Sequence, residues 1–302
     1  MTNAPFADRF WTSADGLELH ACDYAAASGP VRLPVICLHG LTRNARDFEL
    51  LAPRLAAAGR RVVALDVRGR GRSAWDPQPA RYVPAVYARD VLALMDGLGI
   101  ARALFIGTSM GGLITMLVAA FRPSAVAGAV LNDIGPELAP EGLARIVSYT
   151  GKGPAVTTWA DAAAYARFIN GAAFPHYGEA DWQAFASRMF VEKDGVPVLG
   201  YDPDIAQAFK PPPPLPEGQP APPPPDLWPL FTGLAKTPEG VERPLLTVRG
   251  ALSDLLAPAT VEGMQTIAPH MALAEVPGVG HAPMLDEPEA LAAIDVFVAV
   301  AP

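Results

Sequence analysis

Residues 103–121 read ALFIGTSMGGLITMLVAAF, nineteen consecutive positions without a charged side chain. Length and apolarity alone would suit a membrane span. The middle of the stretch argues otherwise, because Gly107, Gly111 and Gly112 flank the small polar pair Thr108-Ser109. That composition reads as a sharp turn between a buried strand and a buried helix. A turn this tight forces its apex residue into strained backbone and pushes the side chain out at the C-terminal end of the strand. The G-x-S-x-G segment Gly107-Thr108-Ser109-Met110-Gly111 therefore offers the Ser109 hydroxyl as a candidate nucleophile. The positive end of the following helix favours negative charge developing beside it.

A serine hydroxyl is a weak nucleophile at neutral pH and needs a base within hydrogen-bond reach. Of the five histidines, His281 follows the last apolar strand in Gly278-Val279-Gly280-His281-Ala282-Pro283, at the sheet edge where Ser109 is expected. His20 falls in an opening hairpin, His176 in an inserted segment, and His270 at the wrong end of the last strand. His39 lies at the correct edge, but its backbone is of more use there than its ring. His281 is the expected base.

The third member should be a carboxylate that fixes the imidazole tautomer. Asp254, in Arg249-Gly250-Ala251-Leu252-Ser253-Asp254, follows a strand and precedes His281, which gives the chain order Ser, Asp, His. Asp254 is the expected acid, with Asp133, at the end of the strand after the nucleophile helix, as its rival. Acyl transfer also needs N–H donors aimed at an oxyanion. Met110 should supply one backbone amide and Leu41, in the turn after Val35-Ile36-Cys37-Leu38-His39-Gly40, the other.

Working outward, apolar runs recur at 35–38, 61–65, 103–106, 129–131, 245–248 and 273–276, separated by helical patterns. Nearly continuous apolar strands alternating with helices predict a mostly parallel sheet covered on both faces. Helices are predicted over 47–58 and 83–98, each ending at a glycine, and an antiparallel hairpin over 10–24 that turns at Asp15-Gly16. The alternation stops after Pro136 and resumes at Arg243. This predicts a core of residues 1–136 and 241–302 with a helical, proline-rich lid inserted at 137–240. Within the lid, ten of the sixteen residues 210–225 are proline, which favours an extended strap. The loop Asp66-Val67-Arg68-Gly69-Arg70-Gly71-Arg72-Ser73 fits neither a dinucleotide nor a P-loop fingerprint, and its arginines should be held by local acids.

Thirteen of the 24 aromatic residues fall between 137 and 235, so the lid should help select an apolar substrate of modest size. Trp159, Phe168 and Trp182, with Arg43 from the core, are the candidate substrate contacts. The net charge of −8 is spread along the chain without a basic run, which argues against nucleic acid. Asp8 and Arg9 interrupt the first residues, so neither a secretory signal nor a membrane anchor is read there. With only Cys22 and Cys37, no disulfide scaffold, thiol-clustered metal site or other metal is expected, and a cytoplasmic setting fits.

With the strand-HG turn, DVRGRGRS, GTSMGG, a late Asp and GHAP in that order, the chain resembles the α/β-hydrolase superfamily, in particular its capped bacterial esterases and lactonases. The resemblance spans nearly everything but the proline-rich segment. It implies an eight-stranded, mostly parallel sheet, an acyl-enzyme mechanism and no cofactor; the fold does not fix the substrate, for which a small apolar ester or lactone is the leading expectation. Haloalkane dehalogenases and epoxide hydrolases carry an aspartate where this chain has Ser109. A C–C bond hydrolase of vinylogous diketones would use the same three groups plus a cation, for which Arg145, Arg167 and Arg188 are candidates. A binding protein that has lost turnover is the reading from outside enzymes.

Overall fold

A computed structural model describes residues 6–153, 155–210 and 225–302. The proline strap expected at 210–225 lies, apart from its two ends, outside the described residues.

Eight strands form one sheet: β1 (Ala7–Thr12), β2 (Glu18–Tyr24), β3 (Val35–Leu38), β4 (Val62–Asp66), β5 (Ala103–Thr108), β6 (Val126–Asn132), β9 (Leu245–Gly250) and β10 (Ala272–Val276). Their spatial order is β1-β2-β4-β3-β5-β6-β9-β10. β1 pairs antiparallel with β2, and β2 with β4; every other neighbour is parallel. β3, β4, β6 and β9 are buried along their whole length, and β5 up to Gly107, as strands covered on both faces must be. One apolar cluster joins α2 (Pro84–Gly97) and α3 (Met110–Phe121) to one face of the sheet. A second joins α1 (Leu51–Ala57) and α9 (Pro288–Val300) to the other.

The predicted strands fall where the apolar runs placed them, and the opening hairpin forms. The helix expected over 47–58 is shorter. A separate 3-10 turn occupies Ala45–Phe48, because the Asn44 side chain caps the amide of Arg46 and closes a tight turn before α1 begins.

Between β6 and β9 lie α4 (Pro140–Tyr149), α5 (Trp159–Asn170), α6 (Glu179–Met189), the hairpin β7 (Phe190–Lys193) and β8 (Val196–Leu199), and α7 (Trp228–Ala235). α5, α6 and β7 share a third apolar cluster that includes Trp182, Phe185 and Met189 and reaches the core through Met284. α7 packs instead on α3 and α8 (Pro258–Ile267), whose Val261 and Met264 join the first apolar cluster. Among the described residues no helix is long and apolar enough to cross a membrane, and residues 103–121 form β5, the turn and α3.

Candidate active site

Ser109 sits at the apex between β5 and α3 with φ 50° and ψ −114°, the strained geometry expected of the turn. Glycine is required on both sides. A Cβ on Gly107 would lie 2.5 Å from the Gly111 carbonyl carbon, and one on Gly111 would lie 2.0 Å from the Leu38 oxygen. The close approach of α3 to β3 and β5 is what lifts the hydroxyl above the strand ends.

His281 lies in the loop after β10. Its Nε2 is 2.9 Å from Ser109 Oγ and its Nδ1 is 2.7 Å from Asp133 Oδ2. That loop is held by the Gly280 amide donating to the Ala173 carbonyl and by Asn132 Nδ2 donating to the Pro283 carbonyl and to Thr108 Oγ1. Asn132, the last residue of β6, thus ties the serine strand to the histidine loop.

The carboxylate against His281 is Asp133, not Asp254. Asp133 is fully buried and adopts a left-handed φ of 54°, a conformation that Asp tolerates better than most residues. Its Oδ1 accepts from the Gly250 amide at 2.8 Å, and its Oδ2 accepts from Ser253 Oγ at 2.5 Å as well as from the imidazole. The end of β9 and the loop after it, expected to deliver the acid, instead deliver two donors that hold Asp133. Asp254 turns outward to a bidentate pair with Arg145 at 2.6 and 2.8 Å, and the hydrogen bond from that guanidinium holds its carboxyl below the usual range.

Leu41 and Met110 both adjoin Ser109 in the cavities above it. Among the described residues neither amide has a hydrogen-bond acceptor. The Gly40–Leu41 peptide is fixed from behind: its carbonyl accepts from His39 Nδ1 at 2.7 Å, while His39 Nε2 accepts from the Val67 amide at 3.0 Å. Burial pushes the His39 imidazole down to about 4, so the ring stays neutral and keeps the tautomer that serves both bonds. The expectation that only the backbone of His39 matters misses this. Arg70, also fully buried, donates to the Leu41 carbonyl at 2.9 Å and to Tyr87 Oη at 3.0 Å, so it is not held by an acid as its loop suggested. Arg68 is, by Asp15, Asp76 and Asp90, and Arg72 reaches Asp8.

Of the expected substrate contacts, only Arg43 lines the cavity at Ser109. Trp159 and Phe168 are 39% and 85% exposed, because they lie on the solvent side of α5. Trp182 is buried within the aromatic cluster of Phe174, Tyr177 and Phe185, where it stabilises the inserted helices themselves. Among the aromatic residues between β6 and β9, Phe174, Phe185 and Tyr149 line one cavity at Ser109, and Phe209 lines a second. Arg145 and Arg188 are committed to ion pairs, Arg188 with Glu49 and Asp286, and Arg167 is exposed. Among the described residues no three His, Cys, Asp or Glu side chains gather as metal ligands.

Residues 35–294 match the model of the alpha/beta hydrolase family. The chain is 37% identical over 281 residues to a 3-hydroxybutyrate-oligomer hydrolase of Cupriavidus necator, covering 91% of each protein. A crystal structure of an alpha/beta hydrolase from Novosphingobium aromaticivorans is 45% identical, with a TM-score of 0.87 over 98% of this chain and 99% of that one. The structure of E-2-(acetamidomethylene)succinate hydrolase, 24% identical with a TM-score of 0.77 over 98% of this chain and 100% of that one, shares the fold. The strained serine turn, the order of the sheet and these likenesses agree: the chain belongs to the alpha/beta hydrolase family.

Proposed function

We propose that this chain is a serine hydrolase of carboxylic esters, lactones included, that works through an acyl-enzyme. The observation that carries the reading is the continuous hydrogen-bonded path from Ser109 Oγ through the His281 ring to Asp133. In this reading Ser109 Oγ attacks the ester carbonyl carbon, a C–O bond forms, and the hydroxyl proton passes to His281 Nε2. Asp133, locked by Gly250 and Ser253, keeps Nδ1 protonated and stabilises the imidazolium. The Leu41 and Met110 amides receive the oxyanion. Collapse of the tetrahedral species breaks the bond to the alcohol oxygen, which takes the proton from His281. A water molecule then repeats the sequence on the acyl-enzyme, releasing the acid and restoring the serine.

The Cupriavidus necator relative is named for oligomers of 3-hydroxybutyrate, which are esters of a short hydroxy acid, and this supports a short oligoester as the substrate class. Two buried free thiols, Cys22 and Cys37, support a reducing, cytoplasmic setting. The test is fluorophosphonate labelling followed by a hydrolysis screen of aryl esters, lactones and short hydroxy-acid oligoesters. Label is expected on Ser109, and Ser109→Ala should lose turnover by about 10³-fold or more while keeping its fold. An alanine variant retaining a tenth of the activity would sink the mechanism.

A further inference from the structure

Two cavities open on Ser109, and their walls differ in chemistry. One, of about 200 Å³, is apolar and runs over Met110, Leu113, Leu138, Leu143 and Phe209. The other, of about 70 Å³, is lined by His281, Arg43, Asp47, Asn170 and Tyr149. Leu41 and Ile146 border both.

Proton delivery decides which half of an ester enters which chamber. The departing alcohol oxygen must sit within hydrogen-bond reach of His281 Nε2, and His281 lines only the smaller chamber. The alcohol half therefore belongs there, and the acyl half, across the carbonyl carbon, extends into the apolar chamber.

Within the smaller chamber the Arg43 guanidinium is incompletely used. Its Nε and Nη2 bond to Asp47 at 2.5–3.0 Å, and its Cζ lies 4.2 Å above the Phe185 ring. Nη1 is buried and has no hydrogen-bond partner among the described residues. A buried charged donor left unmade is costly, and such a group in a native protein calls for an acceptor. The side chain stands beside the nucleophile: Arg43 Cγ and Ser109 Cβ lie 3.6 and 3.8 Å from the point a Gly40 Cβ would occupy.

Resting on the ester-hydrolase reading, we propose that the smaller chamber is the leaving-alcohol subsite and that Arg43 Nη1 binds a carboxylate on that alcohol. The favoured substrate is an ester whose leaving group is a short hydroxy acid, as at the acid end of an oligoester. Asp47 offsets part of the cation's charge, which limits the preference to about tenfold, near the low end for a charge-assisted hydrogen bond.

The experiment compares kcat/KM for the butyryl ester of 3-hydroxybutyrate with that for the butyryl ester of 3-hydroxybutanamide, following released butyrate. The wild type should favour the carboxylate about tenfold, and Arg43→Met should bring the ratio to one or below. A wild-type ratio of one or less, or a preference that survives Arg43→Met, overturns the subsite. Since each ratio is internal to one protein, partial misfolding of a variant does not mimic the result. Leu113→Trp, which fills the apolar chamber, should depress octanoyl esters relative to butyryl esters and leave the carboxylate preference in place. Loss of that preference instead would reverse the assignment of the chambers. Cleavage of neither ester, with no fluorophosphonate label on Ser109, overturns the ester-hydrolase reading and the subsite together; a labelled enzyme indifferent to the carboxylate overturns the subsite alone.

Discussion

Asp133→Asn tests the reading of the site at its most specific point. The substitution keeps size and shape but replaces one carboxylate oxygen by an amide nitrogen. Asp133 Oδ1 accepts from the Gly250 backbone, which has no other role to take, so the amide nitrogen is driven to the Oδ2 position. There it meets Ser253 Oγ and His281 Nδ1. The serine hydroxyl can reverse and accept, but Nδ1 must give up its proton to accept as well. The proton then resides on Nε2, facing Ser109 Oγ, and the ring cannot take the proton of the nucleophile. The expected loss in kcat is about 10³- to 10⁴-fold, or roughly 4–5 kcal/mol of transition-state stabilisation. Asp254→Asn breaks only the partly exposed pair with Arg145. It should cost about 0.2–1 kcal/mol of stability and leave turnover within a few-fold. Steady-state hydrolysis of an activated aryl ester, with a thermal melt of each variant, separates the two cases. If Asp133→Asn stays within tenfold of the wild type, or Asp254→Asn proves the more damaging, the acid has been misidentified.

Gly111→Ala should be severely destabilising, because the new Cβ would meet the Leu38 carbonyl oxygen at 2.0 Å and that backbone cannot yield without shifting β3. A loss of about 3 kcal/mol or more is expected in urea unfolding, and a variant within about 1 kcal/mol of the wild type would show that α3 can move away. His20 gives a stability term with the opposite pH sense to acid unfolding. Burial disfavours its charge, but hydrogen bonds to Asp66 and Asp8 outweigh this and raise its pKa. Its stabilisation is therefore full below the unfolded value of about 6.5 and is lost as pH rises through the folded value. The difference in Tm between wild type and His20→Gln should narrow from pH 6 upward; a constant or widening difference counts against the pair.

The sheet was legible because its central strands are buried on both faces and so appear as unbroken apolar runs, with β3 readable from Val35 to Leu38 to the residue. Ser109 and His281 were legible because each follows such a run at the same edge. The acid was not, since Asp133 and Asp254 both follow strands and both lie between the serine and the histidine, so chain order cannot choose between them. The choice is made by Ser253 Oγ and the Gly250 amide, which converge on Asp133 from 120 and 117 residues away. A faint local signal existed: Asp is one of the few residues that accept the left-handed backbone found at the end of β6. The aromatic residues of the insertion misled for a different reason. Helices added above a sheet must build an interior of their own, and Trp182 serves that interior rather than the cavity.

The buried seat of Asp133 also has a bearing on how the chain acquires activity. The contacts that join Ser109, His281 and Asp133 span 148 and 172 residues, and the donors that seat Asp133 come from Gly250 and Ser253, more than a hundred residues further along the chain. Contacts of such long sequence separation cost loop closure before they return any stabilisation, and are expected to form late. A chain that has folded β1 to β6 already holds the Ser109 turn, yet His281 has not reached it and Asp133 lacks the donors that seat it until β9 docks beside β6. On the proposed function, ester turnover would report completed assembly: during refolding its recovery is expected to follow the docking of β9 and β10, the last quarter of the sheet, with burial of the central strands running ahead of it.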